Sequence, residues 1–485
     1  MFTRTQNSKQ DVLKKFSCMM LLMLLGSPIT HALTRLDELE LPDFQLIEHQ
    51  ENWAKMKSVQ HDRAQLSILE KIKYIPLSDN QDVWLSFGGE MRDRVEHWNN
   101  FGFNPANHGK FNLWRFLPYA DLHFGEQLRL FLELKTALAT QRPFGGGKRP
   151  IDEDQFAIQQ AFVSLKLWQN QDKQISMRLG RQEIAFGRYR IITIAPWSNA
   201  FRNWDGVVWD YKQAQLDVSL IAVQSVQLRP TKYNPSLPND RLLGMYATKK
   251  QVKFKYDLYW LYRNRGNQQY QNNVAMPILV QGSDRRHTFG GRIYNSPKQI
   301  FNYDVEVAYQ RGTFSQKLVS AYMVGSYVSF KVYQLPLNPQ FYMMYDYASG
   351  GNNSNKFHTF NLLYPAGHMY FGYADHIGRQ NIQSPTLGVK VNPNKKWLVG
   401  MQYLEFYRAN NQDGVYRPSG SLLRSGLSSR AKHIGSEIDL YTKYKINRHW
   451  EFLMGYSQFS AGKFIKQTGN SKPIKFAYTQ LTVRV

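Results

Sequence analysis

The sequence predicts an all-β fold, a transmembrane antiparallel β-barrel with a short N-terminal periplasmic segment. Three observations point to it. Segments of about ten residues alternate apolar and polar side chains along most of the chain, which puts one face of each strand on something greasy and the other on something wet. Aromatic residues reach 14%, with 29 Tyr, 29 Phe and 11 Trp, as suits a barrel girdled by rings at both membrane interfaces. The third is an export leader with no later apolar run of about 18 residues, so no helix in the chain is expected to span a bilayer. The mean hydropathy of −0.50 does not oppose this, because half of every barrel strand faces water.

The leader is assigned to residues 1–32. Arg4, Lys9, Lys14 and Lys15 form its positive start, Met19–Leu25 its apolar centre, and Thr30-His31-Ala32 its small-x-small cleavage site. Cys18, the only cysteine of the 485 residues, lies inside this leader, ahead of the apolar centre. The mature chain is therefore expected to carry no disulfide and no lipoprotein anchor. The 61 Lys+Arg against 37 Asp+Glu, a net charge of +24, would suit a nucleic-acid binder in a soluble chain. The leader and the alternation argue against that class and place the chain in the bacterial outer membrane.

Residues 33–78 differ from the rest of the mature chain. They are rich in Glu, Gln, Lys and Leu, with Trp53, Met56, Val59, Leu66, Leu69 and Ile72 at roughly helical spacing up to Pro76. This segment is read as periplasmic and partly helical, either a leader on the rim or a plug in the lumen. Residues 79–485 are read as the barrel. In Val83–Trp98, Leu85, Phe87, Met91 and Val95 oppose Ser86, Glu90, Arg92, Arg94 and Glu96. Trp114, Phe116, Leu122 and Phe124 then oppose Arg115, Asp121 and His123, and Leu130, Leu132 and Leu134 oppose Arg129, Glu133 and Lys135.

The richest stretch is Ser176–Tyr211. Met177 and Leu179 alternate with Ser176, Arg178 and Gly180; Val207, Trp209 and Tyr211 alternate with Val208 and Asp210. Between them lie Arg181, Arg188, Arg190 and Arg202, offset by Glu183 and Asp205. Later strands repeat the pattern, with Asp304 and Glu306 opposite Val305, Val307 and Tyr309. Near the end Glu437, Asp439, Lys443 and Lys445 oppose Ile438, Leu440 and Tyr444. Arg263–Asn273, Ser349–Lys356 and Asn410–Arg430 read as long extracellular loops, Asn392–Lys396 and Lys445–His449 as short periplasmic turns. About 400 residues at ~22 per strand with its half-loops give 16–18 strands, wide enough for an aqueous channel. The last strand ends on Val485 rather than on the terminal aromatic usual in such barrels.

Seven blocks in order are similar to the alginate-export family of outer-membrane proteins. They are LEKIKYIPLSD with LSFGGEMRDRVEHW, RLFLELKTAL, PIDEDQFAIQQAFVSLKL, RLGRQEIAFGRYR with WSNAFRNWDGVVW, the run Asp346–Ile382, and the two halves of His433–Ile465. The resemblance implies an 18-stranded barrel whose arginine-lined lumen passes an anionic polyuronate such as alginate. The alternative is a general porin that takes up small carboxylates or aromatic acids. Gly351 and Ala195-Pro196-Trp197 depart from the family pattern in loop-like positions, where they bear on specificity more than on fold.

The candidate anion-binding residues of the lumen are Arg92, Arg94, Arg115, Arg129, Lys135, Arg178, Arg181 and Arg202. Guanidinium stays charged at any physiological pH and grips carboxylates in a fork, and rings of Arg or Lys are how anion pores select. The candidate lumen acids are Glu90, Glu96, Asp121, Glu133, Glu183 and Asp205. If they neutralise the bases strand to strand, the wall is a structural ladder rather than a cationic constriction. Arg181 and Glu183 are expected to brace the wall as a pair. No catalytic residue, cofactor or metal site is expected, because the histidines are scattered without ligand spacing and no nucleophile–base motif or phosphate loop is present. The expected partners are an anionic small-molecule or polysaccharide solute, outer-membrane lipid and lipopolysaccharide, and a periplasmic component; no nucleic acid is expected. Gly145–Arg149 and the N-terminal segment are the candidate gates.

Overall fold

A computed structural model describes residues 41–58, 66–270, 280–351 and 356–485. The leader and residues 33–40 lie outside them. Eighteen strands form the wall. The first six are β1 (Val83–Asn99), β2 (Gly109–Phe124), β3 (Leu128–Ala139), β4 (Asp154–Asn170), β5 (Lys173–Gln182) and β6 (Trp204–Gln213). Next come β7 (Leu216–Val226), β8 (Ser236–Lys250), β9 (Lys255–Tyr270), β10 (Val280–Tyr294), β11 (Phe301–Phe314) and β12 (Lys317–Lys331). The last six are β13 (Gln340–Ala348), β14 (Ile382–Val391), β15 (Trp397–Tyr407), β16 (His433–Lys445), β17 (Trp450–Ala461) and β18 (Ile474–Arg484). Each pairs antiparallel with the next, and β18 returns to β1 from Glu90↔Arg484 to Asn99↔Lys475. The wall is closed. Val485 finishes it without an aromatic: its N–H and C=O exchange hydrogen bonds with the Gly89 C=O and N–H at 2.9 and 2.7 Å.

Alternation decides which way each side chain points. Along β1, Trp84, Ser86, Glu90, Arg92, Arg94, Glu96 and Trp98 are buried inside, while Phe87 is exposed outside. Leu130 and Leu132 of β3, Leu243 and Met245 of β8 and Ile438 and Leu440 of β16 are likewise exposed large apolar side chains. A closed wall with apolar residues outward and charged residues inward is the arrangement a bilayer requires. No helix among the described residues is long and apolar enough to cross a membrane.

Two expectations need correcting. The strands run from 9 to 17 residues, and most exceed the ten assigned from alternation. Arg263–Asn273 is not all loop either, since Arg263–Tyr270 continues β9 and pairs with β10 past a register shift at Arg265/Gln268; residues 271–273 lie outside the described part. The reason is common to both. Beyond the hydrocarbon layer both faces of a strand are wet, so alternation ends before the hydrogen-bond ladder does.

Short turns, the described N-terminal segment and Val485 gather at one mouth of the barrel, the long connections at the other. Residues 41–58 and 66–82 sit within the first mouth. Trp53, Met56, Leu66 and Tyr74 pack with Trp84 of β1. Arg129 of β3 donates to the His49 carbonyl at 2.8 Å, and Tyr119 of β2 donates to Glu51 at 2.7 Å. From the opposite mouth two connections fold inward, residues 183–203 after β5 and residues 349–381 after β13. They clasp each other through backbone bonds, Thr193 N–H to Tyr364 C=O at 2.8 Å and Tyr364 N–H to Ile191 C=O at 2.9 Å, around buried Ile184, Ile192, Ile194 and Phe201.

Lumen-facing tyrosines lie flat over glycines of the neighbouring strand. A Cβ on Gly400 would come 2.2 Å from Tyr441 Cζ, and one on Gly455 2.5 Å from Tyr478 Oη. Glycine is needed here for close approach rather than for backbone freedom, because the rings fill the space a side chain would take. Gly400→Val is therefore expected to swing Tyr441 into the lumen, lowering single-channel conductance in a planar bilayer. The overpacking should destabilise the barrel by roughly 1–3 kcal/mol. An unchanged conductance would show that the ring has room elsewhere.

Candidate functional site

Between the infolded loops and the wall lies a cavity of about 640 Å³. Its floor is aromatic. Trp197 stacks on His368 at 3.8 Å, His368 on Tyr373 at 4.7 Å, and Tyr373 and Trp197 meet Tyr441 and Tyr478 at 5.1 and 5.0 Å. Burial, reinforced by the Arg94 charge, pulls the His368 pKa well below the ordinary value, so the imidazole stacks as a neutral ring. Seven basic side chains line the cavity (Arg92, Arg115, Arg188, Arg202, Lys390, Lys443 and Arg484) against three acids, Glu90, Asp375 and Glu451.

Those charges are unevenly matched. Glu90 is held by Arg115 and, at 3.0 Å, by Arg484; Lys443 meets Glu451 at 3.1 Å. Arg188 reaches Asp304 only at 3.8 Å. Arg92 instead donates to the Pro196 and Ser198 carbonyls at 3.2 Å each and to Asn199 Oδ1 at 3.0 Å. Arg202 donates to the Pro365 carbonyl at 3.0 Å, and the Lys390 ammonium stands 5.9 Å over the Tyr342 ring. None of these last three has an ion-pair partner among the described residues. Burial, opposed by Arg149, raises the Asp375 pKa to about 6, so the cavity's third acid is only weakly held as an anion.

The other sequence candidates brace the structure. Arg94 pairs with Glu96 at 2.9 Å, lies 3.9 Å over the Trp197 ring and donates to the Trp197 carbonyl. Arg129 forks onto Asp121 at 2.7 and 2.8 Å. Lys135 meets Asp154 at 3.0 Å, both fully buried. Arg178 reaches Asp210 at 3.4 Å and also contacts the His49 ring.

The expected Arg181–Glu183 brace is not formed. Arg181 forks onto Asp205, its direct partner on β6, at 2.7 and 2.9 Å, while Glu183 accepts from Gln159. The two side chains sit on opposite sides of the point where β5 ends, and the next strand supplies the nearer carboxylate. Glu133 also has no arginine partner among the described residues; it accepts from Gln160.

Of the candidates, Arg92, Arg115, Arg202 and Glu90 therefore line the cavity. Arg188, Lys390, Lys443 and Arg484 join them, and the tyrosines Tyr327, Tyr342, Tyr441 and Tyr478 went unnoticed as lumen residues. The signal for the added bases was present: Lys390 and Arg484 stand between valines, and Lys443 shares the parity of Glu437 and Asp439. A second cluster, Arg190 and Arg379 with Asp304, Glu306 and Asp346, locks the loops to β11 and β13. Arg190 reaches Asp304 at 2.7 Å and Glu306 at 3.4 Å, and Arg379 pairs with Asp346. Ala195–Trp197, the departure from the family pattern, lies on the cavity and presents the carbonyls that Arg92 and Arg94 grip. Gly351, the other departure, turns at φ +87° and donates its N–H to Asp413 at 2.8 Å.

Solved outer-membrane structures share this fold at low identity. OccAB3 of Acinetobacter baumannii aligns with a TM-score of 0.56 and 9% identity over 82% of this chain and 99% of its own. OccD3 (OpdP) of Pseudomonas aeruginosa gives 0.55 and 9% over 85% and 93%. OpdK of Pseudomonas aeruginosa, solved with vanillate, gives 0.52 and 8% over 82% and 98%. No curated protein matches the chain. The family model described as alginate export matches residues 83–476. With most of its length so matched and a closed 18-strand antiparallel wall, the chain belongs to the alginate-export family and is a transport channel of the bacterial outer membrane.

Proposed function

We propose that the channel passes carboxylate-bearing solutes, a polyuronate such as alginate foremost and small organic carboxylates next, and rejects cations. The observation that carries this reading is the imbalance in the cavity, where Arg92, Arg202 and Lys390 have no carboxylate partner among the described residues. A low-dielectric wall focuses their field on the path and raises anion occupancy. Most of the other lumen arginines are spent on carboxylates and hold the wall in shape, so selectivity rests on a few residues rather than on a continuous arginine lining. The tyrosine faces beside these cations suit the apolar faces of sugar rings or of aromatic acids, and vanillate in the structurally similar OpdK is such an acid. A role in small-carboxylate uptake is the second reading, favoured by the clasped loops that fold into the lumen and leave a cavity of about 640 Å³ against the wall.

The zero-current potential of the purified barrel under a KCl gradient is expected to show chloride preference. A unit charge about 7 Å from the path is worth ~0.6–2 kcal/mol at effective dielectrics from 80 to 20. Each of Arg92→Gln, Arg202→Gln and Lys390→Gln should therefore lower the preference roughly threefold or more. Arg181→Gln, which breaks the fork onto Asp205 and the bond to the Asn234 carbonyl and touches no residue of the cavity's cation set, should leave selectivity in place and cost thermal stability. A cation preference in the unaltered barrel would end the proposal.

Asp375 adds a pH signature. Below about 6 it takes up a proton and the cavity loses a negative charge, so chloride preference should rise on acidification from pH 7.5 to 5. Asp375→Asn should show the raised preference at both values. A pH response that persists in Asp375→Asn would assign the titration to another group.

A further inference from the structure

Three carboxylates from three separate elements converge inside the wall: Glu48 of the N-terminal segment, Glu133 of β3, and Glu183 just past the end of β5. One oxygen of each lies within 4.8 Å of the others, and the side chains are 6%, 0% and 1% exposed. Among the described residues, Glu48 Oε2, Glu133 Oε1 and Glu183 Oε2 have no hydrogen-bond partner. The nearby cations are engaged elsewhere, Lys135 with Asp154 at 3.0 Å and Arg115 with Glu90. Three buried carboxylates without a counter-charge are costly, since each charged group taken from water needs a partner.

The surrounding wall is built toward this point. β3 and β4 slip register between Glu133 and Leu134, and the bulge turns two consecutive residues of β4, Gln159 and Gln160, into the lumen, both fully buried. Bulges re-aim side chains in this way beside sites. Gln160 donates to Glu133 and Gln159 to Glu183. The side-chain amide oxygen of Gln159, buried with the same head group, has no donor among the described residues. A neutral amide oxygen without a donor among the described residues therefore sits on the head group that meets Glu183, and the donor set is oxygen throughout.

We propose that Glu48, Glu133 and Glu183, with Gln159, bind a divalent calcium ion that ties the N-terminal segment to the lumen wall. Calcium accepts six to eight oxygen ligands in irregular geometry, including carboxylates and amide carbonyls, and neither a sulfur nor a ring nitrogen is offered that would favour zinc. Because Glu48 alone comes from outside the barrel wall, the ion would act as a clamp. With it bound, residues 41–58 stay docked; without it, carboxylate repulsion favours their release and opens the short-turn mouth.

The test is equilibrium dialysis of ⁴⁵Ca²⁺ against the full chain, refolded in detergent free of lipopolysaccharide so that lipid phosphates contribute no sites. One calcium per barrel is expected for the unaltered protein, with binding lost in Glu133→Gln/Glu183→Gln. Gln159→Leu should weaken it roughly 10–100-fold, the usual cost of losing a group that supports a metal site. Glu48→Gln alters no strand and so serves should the double variant fail to fold; it should weaken binding and abolish calcium protection of residues 41–58 from protease. No binding by the unaltered barrel at calcium concentrations on the order of 1 mM, the weak end of protein sites, would overturn the proposal and leave protons as the neutralising charge. Binding unchanged in Glu48→Gln and in the double variant would overturn it as well.

Discussion

A sheet in lipid cannot leave an edge. Every backbone N–H and C=O inside the hydrocarbon must find a partner in the protein, so the first strand has to meet the last, and the pairing of Glu90–Asn99 with Lys475–Arg484 is the constraint on which the rest depends. Closure determines which face of each strand is inside. With lipid on the other face, all the charge of the strand segments collects in one enclosed space, and the lumen then has to deal with that charge at close quarters.

It does so in two ways. Along most of the wall a base meets an acid on the same or the next strand, as with Arg129 and Asp121, Arg181 and Asp205, and Lys135 and Asp154. Such pairs hold register and shape; breaking one leaves an uncompensated charge in a poorly solvated place. Where β1 and β2 set Arg92 directly opposite Arg115, no pair of that kind suffices. Glu90 takes Arg115, and the Pro196 and Ser198 carbonyls accept from Arg92, with Ser198 accepting from Arg115 as well. Two like charges on the wall thus draw a loop inward, and that loop, clasped to residues 349–381, narrows the channel. The same feature supplies the local positive field and the constriction that uses it.

Much of the barrel was legible residue by residue. Glu90, Arg92, Arg94 and Glu96 could be placed on the inner face from parity alone, and Leu130, Leu132, Ile438 and Leu440 on the outer, because a period of two leaves no other choice once one face meets lipid. The limits were equally physical. Arg263–Tyr270 read as loop because a strand outside the bilayer loses its alternation without losing its ladder. Arg181 and Glu183 read as a pair because they are two residues apart, yet partners in a sheet are set by register with the next strand, which brought Asp205 nearer.

By itself the sequence determined the wall, its closure from a last strand that still alternates, and the stock of inward charge, since each follows from short-range periodicity and composition. Only the tertiary structure decided which charges remain available. Arg92, Arg202 and Lys390 come from β1, from the loop before β6 and from β14, and Glu48, Glu133 and Glu183 lie up to 135 residues apart in the chain. Whether such groups meet a partner depends on distances across a closed lumen and on loops folded into it. No local pattern encodes those distances.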